Sequence, residues 1–492
     1  MRASSVLVAA LAAVLVGVAG CSGASNDAPA ESNKGGRPPF SEPSPGAPGA
    51  PGRPDGEISP QEQPLSTFAL DIDTASYGFA RRQLTEGRRP DRESVRAEEF
   101  VNAFEQDYRR PAGDGFTVSG DGARLPAGHR ADPNVRLMRI GLATRPESPE
   151  ERSAATLTFV VDVSGSMAEP GKLDLVRGAL HALIDQLTAR DRVAVVVFSD
   201  RAEVVQRSTG DRAALHRAVD RMRSGGSTNL ERGLTLGYEV AREGLRTGTT
   251  NRVILLSDGL PNVGNTGVEP ILRQVREAAG KQIALLGVGV GSDYGDAFME
   301  RLADQGDGFV VYVSTPEQAR EVFVKRLPAT LAVRALDAKV QVRFSPTTVS
   351  GYRLIGYENR ALAASAFRDD SVDGGEVGPG HTVTALYVVR LRPEASGQVA
   401  EARVRWLDPT DRAPAEAATT VDVADLSGGF AGASPRLRGT YAAAFFAEAL
   451  RGHTDIAYDD LAGIADEAAR RTEDAHVAEL AELIRRAERL AR

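Results

Sequence analysis

The chain has 492 residues, of which 42% are hydrophobic and 26% charged, proportions of a folded protein with more than one domain. Its 59 Lys and Arg against 67 Asp and Glu leave a formal net charge of −8. With no basic stripe interleaved with aromatics, this excludes a nucleic-acid-binding role. The single cysteine, Cys21, excludes a disulfide framework, so stability rests on packing.

In chain order, Met1-Arg2 precedes an apolar run from Val6 to Ala19, followed by Gly20-Cys21-Ser22. A short basic start, a short apolar core and a small-residue cleavage region describe a secretory signal; the run is shorter than a membrane span. Val18-Ala19-Gly20-Cys21 resembles the bacterial lipobox. That resemblance implies a signal over residues 1–20 and a lipidated Cys21 as the new N-terminus. The mature chain is then expected in the bacterial cell envelope, lipid-anchored on the extracytoplasmic face of a membrane. No later stretch is apolar enough to span one. Residues 21–63 are rich in Gly, Pro and Ser, with Phe40 as their one aromatic. Such a segment buries too little apolar area to offset its chain entropy and reads as a disordered tether.

The next region spans 64–150. Thr67 to Tyr77 reads as a strand running into a helix, which Asp73 or Thr74 could cap. Asp71-Ile72-Asp73-Thr74-Ala75 partly resembles the nucleophile motif of haloacid-dehalogenase phosphatases. Ala75 stands at the threonine position, however, and no convincing Lys and paired-Asp motif follows, so no catalysis is assigned to Asp71. A helix is predicted over Glu93–Gln106, with Val95, Phe100, Val101 and Phe104 inward, and strands near Phe116–Val118 and Val135–Leu142.

Residues 151–328 alternate apolar strands with amphipathic helices. Thr158-Phe159-Val160-Val161, Val193–Phe198, Val253–Leu256, Ile283–Val290 and Phe309–Val313 are continuous apolar runs, as in strands covered on both faces. Leu173, Val176, Leu180, Ile184 and Leu187 recur at helical spacing, and Asp211–Met222, Leu230–Arg242 and Val268–Ala279 are further helices. This alternation predicts a doubly wound, mostly parallel sheet. Gly287-Val288-Gly289-Val290-Gly291 lacks the context of a dinucleotide loop and reads as a glycine turn at the sheet edge.

The first apolar strand ends in Asp162-Val163-Ser164-Gly165-Ser166. Thr228 lies on the loop Gly225-Gly226-Ser227-Thr228-Asn229, and a second strand ends in Ser257-Asp258-Gly259. Strand ends on one edge of a parallel sheet meet in space, and an all-oxygen donor set suits a hard divalent cation. Asp-x-Ser-x-Ser, a loop Thr and a strand-end Asp in this order resemble the metal-ion-dependent adhesion site of von Willebrand factor A domains. The resemblance implies that Ser164 and Ser166 bind the cation directly. Thr228 would bind directly or through water, and Asp162 and Asp258 would hold coordinating waters. The cation implied is Mg²⁺, with Mn²⁺ or Ca²⁺ as alternatives. With neutral hydroxyls as direct ligands it keeps an exchangeable position, which a Glu or Asp of a protein partner can fill.

From about residue 329 the pattern turns to alternation, in Ala338–Phe344, Val349–Leu354, Thr382–Leu391 and Ala400–Trp406, which favours antiparallel strands to about 426. Tyr352–Arg360 and Asp373–Tyr387 resemble a bacterial family of secreted YfbK-like proteins, as does Asp71–Tyr77. The resemblance implies an A domain between an N-terminal α+β region and a C-terminal region, β-rich and then helical. His381 reads as a turn-capping residue. Over 427–492 the chain is helical, and Val477, Leu480, Ile484, Ala487 and Leu490 form one apolar stripe.

The chain thus reads as a non-enzymatic, membrane-anchored, cation-dependent binding protein. A scaffold whose metal site is closed by an internal carboxylate is the alternative; a metal-dependent hydrolase would need a base near Ser164 that the local sequence does not offer. The anchor is tested directly. Wild type should take up a radiolabelled fatty acid and Cys21→Ser should not; an unlabelled, freely soluble wild type would remove the lipidation reading.

Overall fold

A computed structural model describes residues 56–70, 72–126, 132–147, 154–259, 268–279, 283–291, 299, 302, 309–326, 333–370, 372, 374–409, 411–454 and 456–491. Cys21, its signal sequence, nearly all of the tether and Asp71 lie outside the described residues.

Six strands form the central sheet: β4 (Ala155–Asp162), β5 (Arg192–Phe198), β6 (Ala202–Thr209), β7 (Thr250–Ser257), β8 (Ala284–Val290) and β9 (Phe309–Val313). Their order is β6-β5-β4-β7-β8-β9, all parallel except the β5–β6 pair. Every residue of β4 and β8 is buried, which explains why both sequences are mostly apolar. Helices α3 (Leu173–Gln186) and α4 (Arg212–Asp220) cover one face through Val176, Leu180, Leu215 and Val219. Helices α5 (Leu230–Glu243) and α6 (Val268–Ala279) cover the other through Leu234, Tyr238, Ile271 and Val275. This is the doubly wound sheet expected. The edge strand β6 was not anticipated, because its side chains are half-exposed and show no clear apolar period.

The flanks interleave. Strand β1 (Leu65–Ala69) pairs with β10 (Ala335–Phe344), which continues to β14 (Gln398–Leu407) and β15 (Pro414–Asp422), and β12 (Gly375–Val377) also joins β10. A second sheet runs β11 (Val349–Ile355), β13 (Thr382–Leu391), β3 (Val135–Thr144) and β2 (Phe116–Arg124), all antiparallel. Both sheets therefore draw strands from before and after the central segment. Phe68, Ile140, Val340, Phe344, Tyr352 and Tyr387 fill one core between them.

The helices on either side also share a core. α1 (Ala75–Thr85) and α2 (Ala97–Asn102) pack with α8 (Pro435–Arg451), α9 (Tyr458–Thr472) and α10 (Ala475–Ala491) through Tyr77, Phe100, Phe446, Leu461 and Ile484. (Pro316–Arg320 is the short α7.) Ser434 caps α8 by accepting from Leu437 N at 3.1 Å, with Pro435 in the first turn, and left-handed Gly452 ends it. Of the apolar stripe on α10, Val477, Leu480, Ile484 and Ala487 are buried, but Leu490 is 39% exposed.

Two local expectations fail for a shared reason. The helix expected over Glu93–Gln106 is only α2, preceded by a 3-10 turn at Arg92–Ser94. Ser76 Oγ donates to Ser94 O at 2.6 Å and accepts from Arg96 N at 2.9 Å, holding Val95 and Arg96 extended. At the start of α1 the cap position is Thr74, which makes no side-chain capping bond, and Ser76 N donates instead to buried Glu99 at 2.7 Å. Asp73 reaches out of its own element and accepts from Val310 N of β9 at 3.1 Å.

Helix α5 approaches β4 closely because Gly237 carries no side chain. A Cβ there would lie 2.3 Å from Val160 Cγ2, and Val160 is fully buried. Gly237→Ala should therefore lower stability by about 1–3 kcal/mol through overpacking. Urea unfolding of the two proteins checks this; an unchanged midpoint would show that α5 can shift without strain.

Candidate functional site

The C-terminal ends of β4 and β7 bring the predicted oxygens together. Asp162 closes β4 and is fully buried. It accepts from Ser164 N through Oδ1 at 2.8 Å and from Ser257 Oγ through Oδ2 at 2.7 Å. Its carboxylate thus holds the turn that follows its own strand and fastens that turn to β7. Ser164 is buried and Ser166 exposed, and their Oγ atoms are 3.2 Å apart. Ser166 Oγ donates to Asp258 Oδ1 at 2.9 Å.

Thr228 is buried on the adjoining loop, just before Asn229, which caps α5 by accepting from Arg232 N. Backbone bonds stitch this loop to the Asp162 turn: Gly225 N donates to Val163 O at 2.7 Å and Gly165 N to Gly226 O at 2.9 Å. Asp162, Ser164, Ser166 and Asp258 therefore form one bonded cluster, with the Thr228 loop fixed against it.

Sequence reasoning missed two members. Ser257 anchors Asp162 as described. Lys172, whose side chain is only 6% exposed, donates from Nζ to Asp258 Oδ2 at 2.8 Å and also lies 2.8 Å from Glu169 Oε2. Its stem passes Gly291, which has φ +89° and where a Cβ would meet Lys172 Cε at 2.7 Å. The glycine turn at the end of β8 thus makes room for the lysine. No signal in the sequence marked Lys172, because a lysine just before the apolar stripe of α3 reads the same whether it is buried or exposed.

The electrostatics favour a cation. Burial pushes the Asp162 carboxyl above its ordinary value; bonds from Ser164 and Ser257 act against this, and the nearby Asp258 charge adds to it. Burial alone would lower the Lys172 ammonium, but its bonds to Asp258 and Glu169 outweigh that and raise it. Asp258 and Glu169 thus share the Lys172 ammonium, while Asp162 is held by the Ser164 backbone and the Ser257 hydroxyl. No group of three or more His, Cys, Asp and Glu gathers as a metal cage among the described residues. The donors here are instead hydroxyls backed by carboxylates, an all-oxygen set that fits a hard divalent cation.

Two further residues singled out in the sequence lie elsewhere. His381 sits in the turn before β13, and its Nδ1 accepts from Gly378 N at 3.2 Å. Gly287 and Gly289 lie within β8.

Comparison with known proteins places these features in a family context. The von Willebrand factor type A domain matches residues 156–325, and the family described as "Uncharacterized protein YfbK, C-terminal" matches 329–490. A further von Willebrand factor family matches 53–132. The chain is 34% identical to the Escherichia coli (strain K12) protein "Uncharacterized protein YfbK" over 341 residues, 67% of this chain and 59% of that protein. It is 32% identical to human inter-alpha-trypsin inhibitor heavy chain H4 over 180 residues, 34% of this chain and 18% of that protein. The chain thus spans less than two thirds of the length of these curated relatives. A von Willebrand factor type A structure from Catenulispora acidiphila aligns with a TM-score of 0.46 at 19% identity, over 75% of this chain and 89% of that one.

Lys172→Met would leave Asp258 buried without its ammonium partner. In EDTA this should cost about 3 kcal/mol, the usual order for breaking a buried pair. Urea unfolding in EDTA measures it; a loss below about 1 kcal/mol would mean that Asp258 does not depend on Lys172.

Proposed function

Because the chain belongs to the YfbK-like family of von Willebrand factor A-containing proteins, we propose that it is a protein-binding module that works through a divalent cation at Asp162, Ser164, Ser166, Thr228 and Asp258. Domains of this type mediate protein–protein interactions, and a divalent metal is common at their adhesion site. The observation that carries the reading is the linked set Asp162–Ser164–Ser166–Asp258 on the C-terminal edge of the sheet, with Ser166 open to solvent.

In this reading Ser164 and Ser166 present hydroxyl oxygens to Mg²⁺, or to Mn²⁺ or Ca²⁺ in its place, and Thr228 supplies a third from the neighbouring loop. Asp162 and Asp258 orient these groups and offset the charge. When bound, the cation supplies an electropositive centre for a Glu or Asp carboxylate of the partner protein. The role is binding, not catalysis: the cluster's oxygens are engaged with one another and with Lys172, an arrangement that holds an ion rather than activating a nucleophile. The lipobox resemblance at Cys21 supports placement on the extracytoplasmic face of a membrane, with the segment before residue 64 as a tether.

Thermal melts in Mg²⁺ and in EDTA test the site. Binding to the folded state alone raises stability by about 2.7 kcal/mol when the ion is at a hundred times its Kd. Asp162→Ala should lose this gain and Ser166→Ala should retain part of it. Gly237→Ala should start from lower stability with the full Mg²⁺ response. An equal response in wild type and Asp162→Ala would place the cation elsewhere and end the adhesion-site reading.

A further inference from the structure

Away from this site, two histidines face each other across the outer surface of the central domain. His181 lies on α3 and His216 on α4, with their Nδ1 atoms 2.7 Å apart. The ring centroids are 5.0 Å apart and the planes differ by 21°. The two Nδ1 atoms therefore lie between the rings, with their in-plane orbitals directed at each other.

The other ring nitrogens settle the proton count. His181 Nε2 is 3.2 Å from Asp220 Oδ1, and His216 Nε2 is 3.2 Å from Asp185 Oδ1. A carboxylate only accepts, so His181 Nε2 carries a hydrogen and donates it to Asp220, and the carboxylate oxygen 3.2 Å from His216 Nε2 favours a hydrogen on that nitrogen as well. A neutral imidazole has one N–H, which leaves both Nδ1 atoms as bare acceptors in direct opposition. That opposition is relieved only by an electrophile shared between them, either a proton or a metal cation.

The surroundings match those of a metal-binding pair. A ligating histidine commonly donates its second ring N–H to a carboxylate, which fixes the tautomer and raises the basicity of the ligating nitrogen. Here His181 does so to Asp220, and His216 Nε2 lies 3.2 Å from Asp185 on the opposite helix. Both His side chains are 32% exposed, and those of Asp220 and Asp185 are 59% and 65% exposed, so an aqueous ion reaches the pair without opening the core. Bonds of about 2.0–2.1 Å at a tetrahedral centre require the two nitrogens to separate to roughly 3.3 Å, a small adjustment for side chains this exposed. Two basic side chains stand beside the cluster at Asp220: Arg177, whose Nη2 is 3.8 Å from Oδ1, and Arg223, whose Nη1 donates to the backbone oxygen at 2.6 Å.

We propose that His181 and His216 form a second cation site, selective for borderline d-block ions such as Cu²⁺ and Zn²⁺, with both Nδ1 atoms as ligands and water completing the shell. Its imidazole donors separate it chemically from the oxygen site at the sheet edge, because imidazole prefers these ions over Mg²⁺. A bound ion would clip α3 to α4.

The test uses the full chain carrying Asp162→Ala, in excess Mg²⁺, so that uptake at the adhesion-type site does not interfere. Zn²⁺ alone is titrated by calorimetry, and Cu²⁺ alone is followed by electron paramagnetic resonance. One equivalent should bind, and the Cu²⁺ spectrum should show coupling to two imidazole nitrogens. His181→Asn and His216→Asn should each abolish uptake, and Asp220→Asn should weaken it 10–100-fold. No uptake, uptake unchanged by both histidine variants, or a spectrum with fewer than two imidazoles would overturn the proposal. The spectrum is read without a histidine variant, so a variant that failed to fold would not protect the idea.

Discussion

Nine consecutive antiparallel pairs, from Val135–Arg390 to Ala143–Thr382, join β3 to β13, with the entire central domain lying between them in sequence. β1 and β10 make the same kind of bridge in the other sheet. Neither sheet exists until chain from both sides of the central domain has met. Closing such a long loop costs little more than closing a moderate one, because the entropy grows only logarithmically with length. The cost falls on kinetics, since non-local pairings form late. A central domain with its own two-sided core eases this, because it can draw the two flanks close before they pair. The shared helical core repeats the logic: Phe100 on α2 packs edge-on to Phe446 on α8, with ring centroids 5.9 Å apart.

The candidate site depends on a second constraint, the handling of buried charge. Asp162 ends β4 and Asp258 follows the last residue of the adjacent β7, both nearly without solvent contact. Each is tolerated because donors converge on it: a backbone N–H and a hydroxyl for Asp162, a hydroxyl and an ammonium for Asp258. Such donors cost less to bury than an unpaired carboxylate. They also fix the serine hydroxyls in place.

Much of this was legible in the sequence for physical reasons. β4, β7 and β8 read as continuous apolar runs because both faces of the sheet are covered. The cluster was legible because its residues sit at strand ends in short local motifs, and a parallel sheet brings such ends to one edge. What depends on distant contacts was hidden. β15 was missed because its inward positions include small residues such as Ala415 and Ala417, which give little apolar contrast. The interruption before α2 depends on Ser76, and the outward reach of Asp73 depends on β9. Lys172 carries no mark in a one-dimensional pattern that separates a buried lysine from a surface one. The His181–His216 pair repeats a His-x-x-x-Asp spacing on two helices, but nothing in the sequence states that these helices lie side by side.

The flanks hold the central sheet at the start of β7 and along its β9 edge, whereas the candidate site lies at the ends of β4 and β7. Arg252, near the start of β7, pairs with Glu376 of β12 at 2.7 Å, and its side chain is 2% exposed. Asp73 holds Val310 near the start of β9, and Arg82 of α1 lies 5.3 Å from the centre of the Tyr312 ring on the same strand. These contacts secure the start of β7 and the outer edge of the sheet at β9. The serines and aspartates of the site lie at the ends of β4 and β7. Sandwich contacts of this kind steady the domain without competing for the edge that carries Ser166. A carboxylate that approached that edge would meet loops held from beneath by Asp162 and Ser257, so the strands, rather than the ligand, would bear most of the ordering cost.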